Sequence, residues 1–219
     1  IVIKVWVRDE DREYDASAQY AAGTGTWGDL ITSISLLEPI FSVTQEVEME
    51  GLMMNMVSFG VHPESDSIAT VLADNSVLIA SNDAGQYYAP GFGVDLISEM
   101  DMTRGYKVFL NGMDNQTVTL EGLPMVPSEE NILVSALQMN LIGYTAGTTS
   151  QDCMPTDYIF EGHTDQILIV KDDSGAYFVP GFGVMTLAEM CPGNGYEIFL
   201  LGMDDMDFTY PSMDGLAKL

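Results

Sequence analysis

Acidic and amide side chains cluster at four turn-like stretches of this sequence, and their oxygens are the ligands that Ca²⁺ prefers. The six aspartates concerned are Asp83, Asp114, Asp172, Asp173, Asp204 and Asp205. No D-x-[DN]-x-[DN]-G loop with its terminal Glu accompanies them, and hairpin turns favour Asp and Asn for backbone reasons alone. We therefore interpret these residues as turn formers and predict no cofactor, with bound calcium as the open alternative.

The residue types needed for catalysis are sparse. His62 and His163 are the only histidines, and they do not occupy equivalent positions of the internal repeat described below. No G-x-S-x-G sequence offers an exposed serine nucleophile. The sequence therefore predicts a protein that is not an enzyme. A cleft that holds two close carboxylates, or a histidine with a carboxylate partner, would favour an enzyme instead.

Two cysteines, Cys153 and Cys191, occur only in the second copy of the repeat. Cys191 replaces Asp101 of the first copy, and Cys153 lies in a stretch that the first copy lacks. Because both are additions to the same copy, we predict a disulfide between them that fastens the extra loop to the body. Such a bond is typical of a secreted protein.

Aromatic side chains follow the repeated hairpin turn and offer a second kind of site. They are Tyr87, Tyr88, Tyr177 and Phe178. Aromatic rings on an open face would stack on sugar rings, which favours a binding module. The same residues buried against a neighbouring module would favour a scaffold.

The charge of the chain restricts its partners. Asp and Glu number 33 against 7 Lys and Arg, for a formal net charge of −26. Such a surface repels phosphate backbones and anionic headgroups, so we predict no binding to nucleic acid. The longest apolar run is shorter than the roughly 20 residues of a membrane-spanning helix, and we predict no membrane insertion. The start at IVIKVWV, without Met, suggests an ordered piece of a longer polypeptide.

The chain contains an internal sequence repeat. NDAGQYYAPGFGV (82–94) is nearly repeated as DDSGAYFVPGFGV (172–184), and the strand-like MNMVSF (54–59) returns as MNLIGY (139–144). The offset grows from 85 to 90 residues, so the second copy carries five extra residues. A repeat of this length indicates tandem structural modules. We expect the Phe of PGFGV, and methionines that recur such as Met113 and Met203, to fill the cores.

Alternating and β-branched runs separated by Gly- and Asp-rich turns predict a mainly β fold. Residues 1–44 read as the terminal strands of an Ig-like β-sandwich that is incomplete. Two tandem homologous small β-rich modules with short helical turns follow at 45–124 and 125–212. Residues 213–219 read as a tail or a linker to further chain. We call 45–124 the first repeat and 125–212 the second repeat.

The motifs resemble those of large secreted proteins of Bacteroidota. KVWVRDEDREYDASAQYAAGTGTWGD resembles the closing strands of their modules. Both repeats resemble further modules of these proteins, whose pattern is N-[LM]-[IV]-S-[FY], a V-K-D-x-x-G hairpin, P-x-x-G and G-Y-x-[IV]. The first part is matched by NMVSF of the first repeat and the hairpin by VKDDSG of the second, while both repeats match the last two parts. Those modules usually carry Trp before the Asn, where this chain has Met54 and Met139. The resemblance implies export by the type IX system, a secreted or cell-surface location, and a role as adhesin, stalk or filament part.

The sequence thus predicts a structural or adhesive segment of a large extracellular protein or filament, acting by modular assembly. Its expected partners are further modules of the same polypeptide and homo-oligomer or filament neighbours. The alternative is a carbohydrate- or calcium-dependent ligand-binding module.

Overall fold

The fold is mainly β, as the sequence predicts, and nearly all of its ladders are antiparallel pairs of short strands. The structure is a computed structural model that describes residues 3–7, 12–39, 41–73 and 75–212. The chain divides into two compact units, Ile1–Ser42 and Val43–Leu219. The predicted tail at 213–219 lies outside the described residues. None of the described helices is long and apolar enough to cross a bilayer.

The first unit is one antiparallel sheet of three strands. These are β1 (Lys4–Val7), β2 (Arg12–Ala22) and β3 (Ser33–Pro39), with β2 in the centre. The three strands described in this unit make half of a sandwich at most. None of the hydrophobic side chains described in this unit is buried, whereas the second unit has two hydrophobic cores.

The first repeat contains eight strands and one short helix. They are β4 (Val43–Met49), β5 (Met54–Val57), β6 (Val61–Pro63), α1 (Ile68–Val71), β7 (Val77–Ser81), β8 (Tyr87–Ala89), β9 (Val94–Asp95), β10 (Tyr106–Leu110) and β11 (Gln116–Pro124). Strand β4 begins at Val43, two residues before the predicted start of the repeat.

The second repeat contains nine strands and one short helix. They are β12 (Ile132–Val134), β13 (Asn140–Gly143), β14 (Met154–Pro155), α2 (Thr156–Ile159), β15 (Ile167–Lys171), β16 (Tyr177–Val179), β17 (Val184–Met185), β18 (Glu189–Met190), β19 (Gly195–Leu200) and β20 (Met206–Phe208).

The two repeats share one topology. The first builds a five-stranded sheet in the order β5-β10-β7-β8-β9, and the second builds the corresponding order β13-β19-β15-β16-β17. Each sheet covers its own hydrophobic core, and the two cores have no residue in common. Sequence duplication is therefore matched by duplication of the sheet and of the core.

A buried asparagine fastens the start of each five-stranded sheet. The Asn55 side chain accepts from the Glu50 amide at 2.7 Å and donates to the carbonyls of Glu50, Met53 and Val108. Asn140 makes the equivalent four bonds in the second repeat, beginning with the Ser135 amide at 2.8 Å. An apolar side chain could not satisfy these backbone groups, which explains why Asn interrupts an apolar strand twice.

The PGFGV corner forms as predicted, but its phenylalanine does not fill the core. Pro90 and Pro180 each begin a 3-10 turn that ends at a glycine with φ near +65°, Gly93 or Gly183. Phe92 is 76% exposed and Phe182 is 80% exposed. The turn points both rings away from the sheet, so the prediction of a core role is wrong for both.

The recurring methionines divide into two classes. Met100 and Met190 are buried in the two cores, as expected. Met113 and Met203, in the turns after β10 and β19, are 81% and 83% exposed, so the prediction that they are core residues is wrong. Residues that are identical in the two repeats therefore share an environment. For Phe92, Phe182, Met113 and Met203, that environment is the surface.

A disulfide joins Cys153 to Cys191, which is the pairing that the sequence favours. Before Cys153, the Asp152 side chain accepts hydrogen bonds from the amides of Thr148 and Thr149 at 3.1 and 2.9 Å. Burial raises the pKa of Asp152, but these bonds outweigh burial and lower it below its ordinary value. The extra loop is thus held by its own aspartate as well as by the disulfide.

Replacing either of two buried tyrosines of the second core by Phe is expected to change the free energy of unfolding differently. The Tyr144 hydroxyl donates to the Asp152 carbonyl, whereas the Tyr210 hydroxyl is buried without a hydrogen-bond partner. We expect Tyr210→Phe to leave the free energy of unfolding unchanged or raise it by up to about 1 kcal/mol, because it removes an unsatisfied polar group. Tyr144→Phe should lower it by about 1 kcal/mol. Urea unfolding of the two variants checks the order, and a more stable Tyr144→Phe variant would contradict it.

Candidate functional site

The two repeats form an interface, which we call the seam. Its backbone hydrogen bonds come in pairs that join equivalent positions of the two repeats. The Ser58 amide donates to the Gly193 carbonyl at 3.0 Å, and the Gly143 amide donates to the Thr103 carbonyl at 2.9 Å. Ser58 and Gly143 are equivalent positions of the two repeats, as are Thr103 and Gly193. Each contact from the first repeat to the second therefore returns from the second to the first. This is the pattern of a two-fold interface formed within one chain.

Two of the aspartates considered for calcium belong to this seam. The Asp83 side chain, in the hairpin turn of the first repeat, accepts from the Leu141 amide of the second repeat at 3.0 Å. Asp173, its equivalent, accepts from the Met56 amide of the first repeat at 2.8 Å. Each hairpin therefore satisfies an amide at the edge of the opposite sheet, where β5 and β13 would otherwise lack a partner.

Glycine is required where the repeats approach most closely. A Cβ added to Gly105 would lie 3.1 Å from the Cα of Gly195, and one added to Gly195 would lie 3.3 Å from the Cα of Gly105. The two glycines are equivalent and face each other across the seam. Any side chain at either position would push the sheets apart, which explains the repeated Gly-Tyr at the start of β10 and β19.

A charged cluster lies beside these glycines. Glu197 of the second repeat is nearly buried and bonds to Lys107 of the first repeat and, at 2.6 Å, to Lys171 of its own sheet. Burial raises the pKa of the Glu197 carboxyl, but hydrogen bonds from the two lysines outweigh burial and lower it below its ordinary value of 4.5. Lys107 and Glu197 are equivalent positions, so the seam carries opposite charges where a symmetric interface would carry identical ones.

A polar cleft opens on one side of the seam, with a volume of about 370 Å³. Arg104 of the first repeat reaches across it and donates to the Leu133 carbonyl at 2.8 Å, while its Nη1 lies 3.6 Å from Asp83. That Nη1 is buried and has no hydrogen-bond partner. Besides Arg104, the polar side chains of the lining are Asn82, Asp83, Gln86, Glu99, Asp101, Tyr106, Ser135, Gln138 and Asn140.

The two-fold relation produces a second, smaller cleft of about 220 Å³ on the other side. There Asn194 takes the place of Arg104, and Glu50 takes the place of Ser135. The two clefts therefore differ in charge although the backbones around them correspond.

The remaining candidates for calcium do not converge with Asp83 and Asp173. Asp172 accepts from the Ser174 hydroxyl and the Ala176 amide inside its own turn, both at 2.8 Å. Asp205 accepts from the Ala136 amide at 2.7 Å. Asp114 and Asp204 are exposed in the turns after β10 and β19. Within the described residues, one group brings three potential ligand atoms together, and it consists of Glu189 and the two disulfide cysteines. Turn formation thus accounts for the positions of these residues.

The aromatic candidates are divided between core and surface. Tyr88 and Phe178 are buried in the two cores, while Tyr87 and Tyr177 are about two-fifths exposed on the opposite face of the strand. Tyr87 and Tyr177 are therefore the two of these aromatic candidates whose rings are open to a ligand.

His62 has a carboxylate partner, and such a pair is one of the two arrangements that would favour an enzyme. Its Nε2 lies 2.8 Å from the Glu130 carboxylate in a cleft of about 290 Å³ that also contains Asp66 and Asp101. His62 is half exposed. Among the described residues the structure gives its ring no hydroxyl or thiol partner, so the pair has an acid-base element but no nucleophile attached to it.

Sequence reasoning missed the seam. Its glycines, its aspartates and Ser58 each have an ordinary explanation in a strand or a turn. The available signal was the combination of identical Gly105 and Gly195 with unlike charges two residues later, at Lys107 and Glu197. The chain matches no family model, and no curated protein or solved structure matches it significantly.

The Glu197 carboxyl in the seam is expected to make the free energy of unfolding depend on pH. Because its pKa is lowered in the folded protein, its contribution to stability is present above the ordinary value of 4.5 and is lost as the pH falls through the lower folded value. Near pH 7, Glu197→Gln should lower the free energy of unfolding by about 1–2 kcal/mol.

The difference between wild type and Glu197→Gln should be constant from neutral pH to the ordinary pKa and should shrink below it. Thermal unfolding of both proteins at a series of pH values measures it. Because the other carboxylates titrate in both proteins, their effect cancels in the difference. A difference that grows on acidification would contradict the assignment.

Proposed function

We propose that this chain is a structural or adhesive segment of a large extracellular surface protein or filament, acting by modular assembly. The observation that carries the proposal is the exposure of the sheet in the first unit. Its sheet has no buried hydrophobic side chain among those described, and such a sheet needs a covering partner to be stable.

Four apolar side chains lie together on one face of the open sheet. The register pairs Ala18 with Leu37 and Tyr20 with Ile34, and a bulge at Ser35 keeps these four side chains on the same side. Leu37 is 39% exposed and Ile34 is 43% exposed. A further sheet packed on this face would bury them, as in any two-layer β domain. The proposal assigns that role to neighbouring modules or subunits.

An apolar loop of the same unit supports an adhesive role. Trp27 and Leu30 are almost completely exposed and Ile31 is largely exposed, within five residues of one another. Asp29 orders this loop by accepting from the Thr24 amide at 2.7 Å, and that bond lowers the pKa of Asp29. An ordered loop that exposes a large apolar patch is characteristic of a contact surface.

The second unit supports a structural role in another way. Its repeats satisfy each other's edges without a ligand, and a disulfide closes the extra loop, which suits an oxidising compartment. A net charge of −26 favours solubility and makes copies of the chain repel one another, so contacts between modules require apolar surfaces and salt that screens the charge.

Negative-stain imaging and sedimentation velocity of the native protein at about 0.15 M salt, with and without EDTA, test the proposal. We expect assemblies that survive EDTA. Leu37→Lys should shift them to monomers, because it places a charge on the apolar face. Leu36→Lys is the matched control, since Leu36 pairs with Gln19 on the opposite face and has a similar exposure.

Monomers in all conditions would contradict assembly through this sheet. Loss of assembly with both lysine variants would show that the apolar face is not the contact. Dissociation by EDTA alone would instead assign the assembly to calcium.

A carbohydrate-binding function is the second candidate, and the polar cleft at Arg104 favours it. Amide, carboxylate and guanidinium side chains around one cleft can bond the hydroxyls of a sugar. We expect Arg104→Gln to weaken the binding of soluble neutral oligosaccharides at least about tenfold, because the guanidinium contributes charge-assisted bonds. Asn194→Gln, at the equivalent position of the other cleft, is the control. Calorimetry with no binding by the wild type would exclude this candidate.

A further inference from the structure

Some residues of the seam are identical in the two repeats, and others differ. The glycines at its centre and the two aspartates that cap the opposite sheet are identical in both repeats. On those contacts alone, a repeat would pair equally well with a copy of itself. The residues that differ therefore decide which repeats pair.

Charge is the first difference. In the observed pairing, Lys107 bonds to Glu197 at the centre of the seam. If two first repeats paired in the same way, Lys107 would face a second Lys107. Two second repeats would bring Glu197 against Glu197 in a nearly buried site, and each glutamate would keep only its own Lys171 as a partner. Like charges in such a position act against the wrong partner.

Side-chain volume is the second difference. A Cβ at Gly143 would lie 3.1 Å from the Cβ of its equivalent, Ser58. Two first repeats would therefore crowd two serines at this point. The Ser58 hydroxyl donates to the Asn194 carbonyl at 2.6 Å and accepts from the Tyr144 amide at 3.0 Å. Two second repeats would have a glycine on each side and would lose both of these bonds.

We propose that the seam is selective for unlike repeats, with Lys107 and Glu197 as its specificity-determining pair. The partner that fits a first repeat is a second repeat, whether it comes from the same chain or from a second copy of this chain. Association between chains through this surface therefore exchanges repeats, joining the first repeat of one copy to the second repeat of another. The inference concerns the seam alone and is independent of the function proposed above.

Two single charge reversals test the selectivity in the full chain. Lys107→Glu gives a chain with Glu at both seam positions, and Glu197→Lys gives a chain with Lys at both. Each alone should melt roughly 5–10 °C below wild type, because a partly buried like-charge pair replaces an ion pair. Mixed, the two chains can exchange repeats, and every seam then has one Glu and one Lys.

The mixing experiment uses one isotopically labelled variant. The two variants are unfolded together in urea with the disulfide intact, refolded at low ionic strength, and analysed by native mass spectrometry. We expect a heterodimer in at least about tenfold excess over either homodimer, with a melting temperature close to that of wild type. Two wild-type chains treated in the same way should yield no more dimer than they show before unfolding, since their seams are already satisfied within each chain.

The double variant Lys107→Glu with Glu197→Lys provides a test without mixing. It restores opposite charges in one chain, although Lys171 then lies beside a lysine, and it should recover at least half of the lost melting temperature. Asp165→Lys, a charge reversal in the exposed loop after α2, is the control for the change in net charge. Single variants as stable as wild type, no recovery in the double variant, or a mixture that contains no heterodimer would each overturn the proposal.

Discussion

The close approach of Gly105 and Gly195 is the constraint on which the second unit depends. Because neither residue has a side chain, β5 can bond to the segment before β19, and β13 to the segment before β10. That approach also brings Asp83 and Asp173 within reach of the opposite sheets and places Lys107 against Glu197. The hydrogen bonds, the ion pair and the two clefts all follow from the distance that these glycines permit.

The two units of the chain satisfy their edges and faces differently. In the second unit, each sheet has its own core, and the edge strands β5 and β13 are covered by the other repeat. In the first unit, none of the described apolar side chains is buried, and β1 and β3 are both edges. Open faces and edges are where further chains pack most readily, and they are the surfaces to which the proposed function assigns contacts.

The features that follow from local patterns were accessible from sequence: the mainly β fold, the repeat, its hairpin turns and the cysteine pair. The seam was not accessible, because Gly105 or Asp83 alone fits a strand or a turn as well as an interface. Burial was misjudged at Phe92 and Met113 for a related reason. An apolar residue that recurs in both copies suggests a core, whereas the backbone of a 3-10 turn or a tight connection points these side chains outward. Nor does sequence give the distance between His62 and Glu130, which are 68 positions apart in the chain.

The presence of both halves of the seam on one chain has a consequence for how they can change. A dimer of identical subunits dissociates on dilution, and every substitution in it occurs twice. Covalent linkage instead holds the partner at an effective concentration in the millimolar range for short connections, whatever the concentration of the protein. Each half is then free to diverge singly, as Ser58 and Gly143 or Arg104 and Asn194 have done. The linkage thus turns a symmetric contact into two unlike surfaces, one of which can acquire a ligand while the other keeps the halves together.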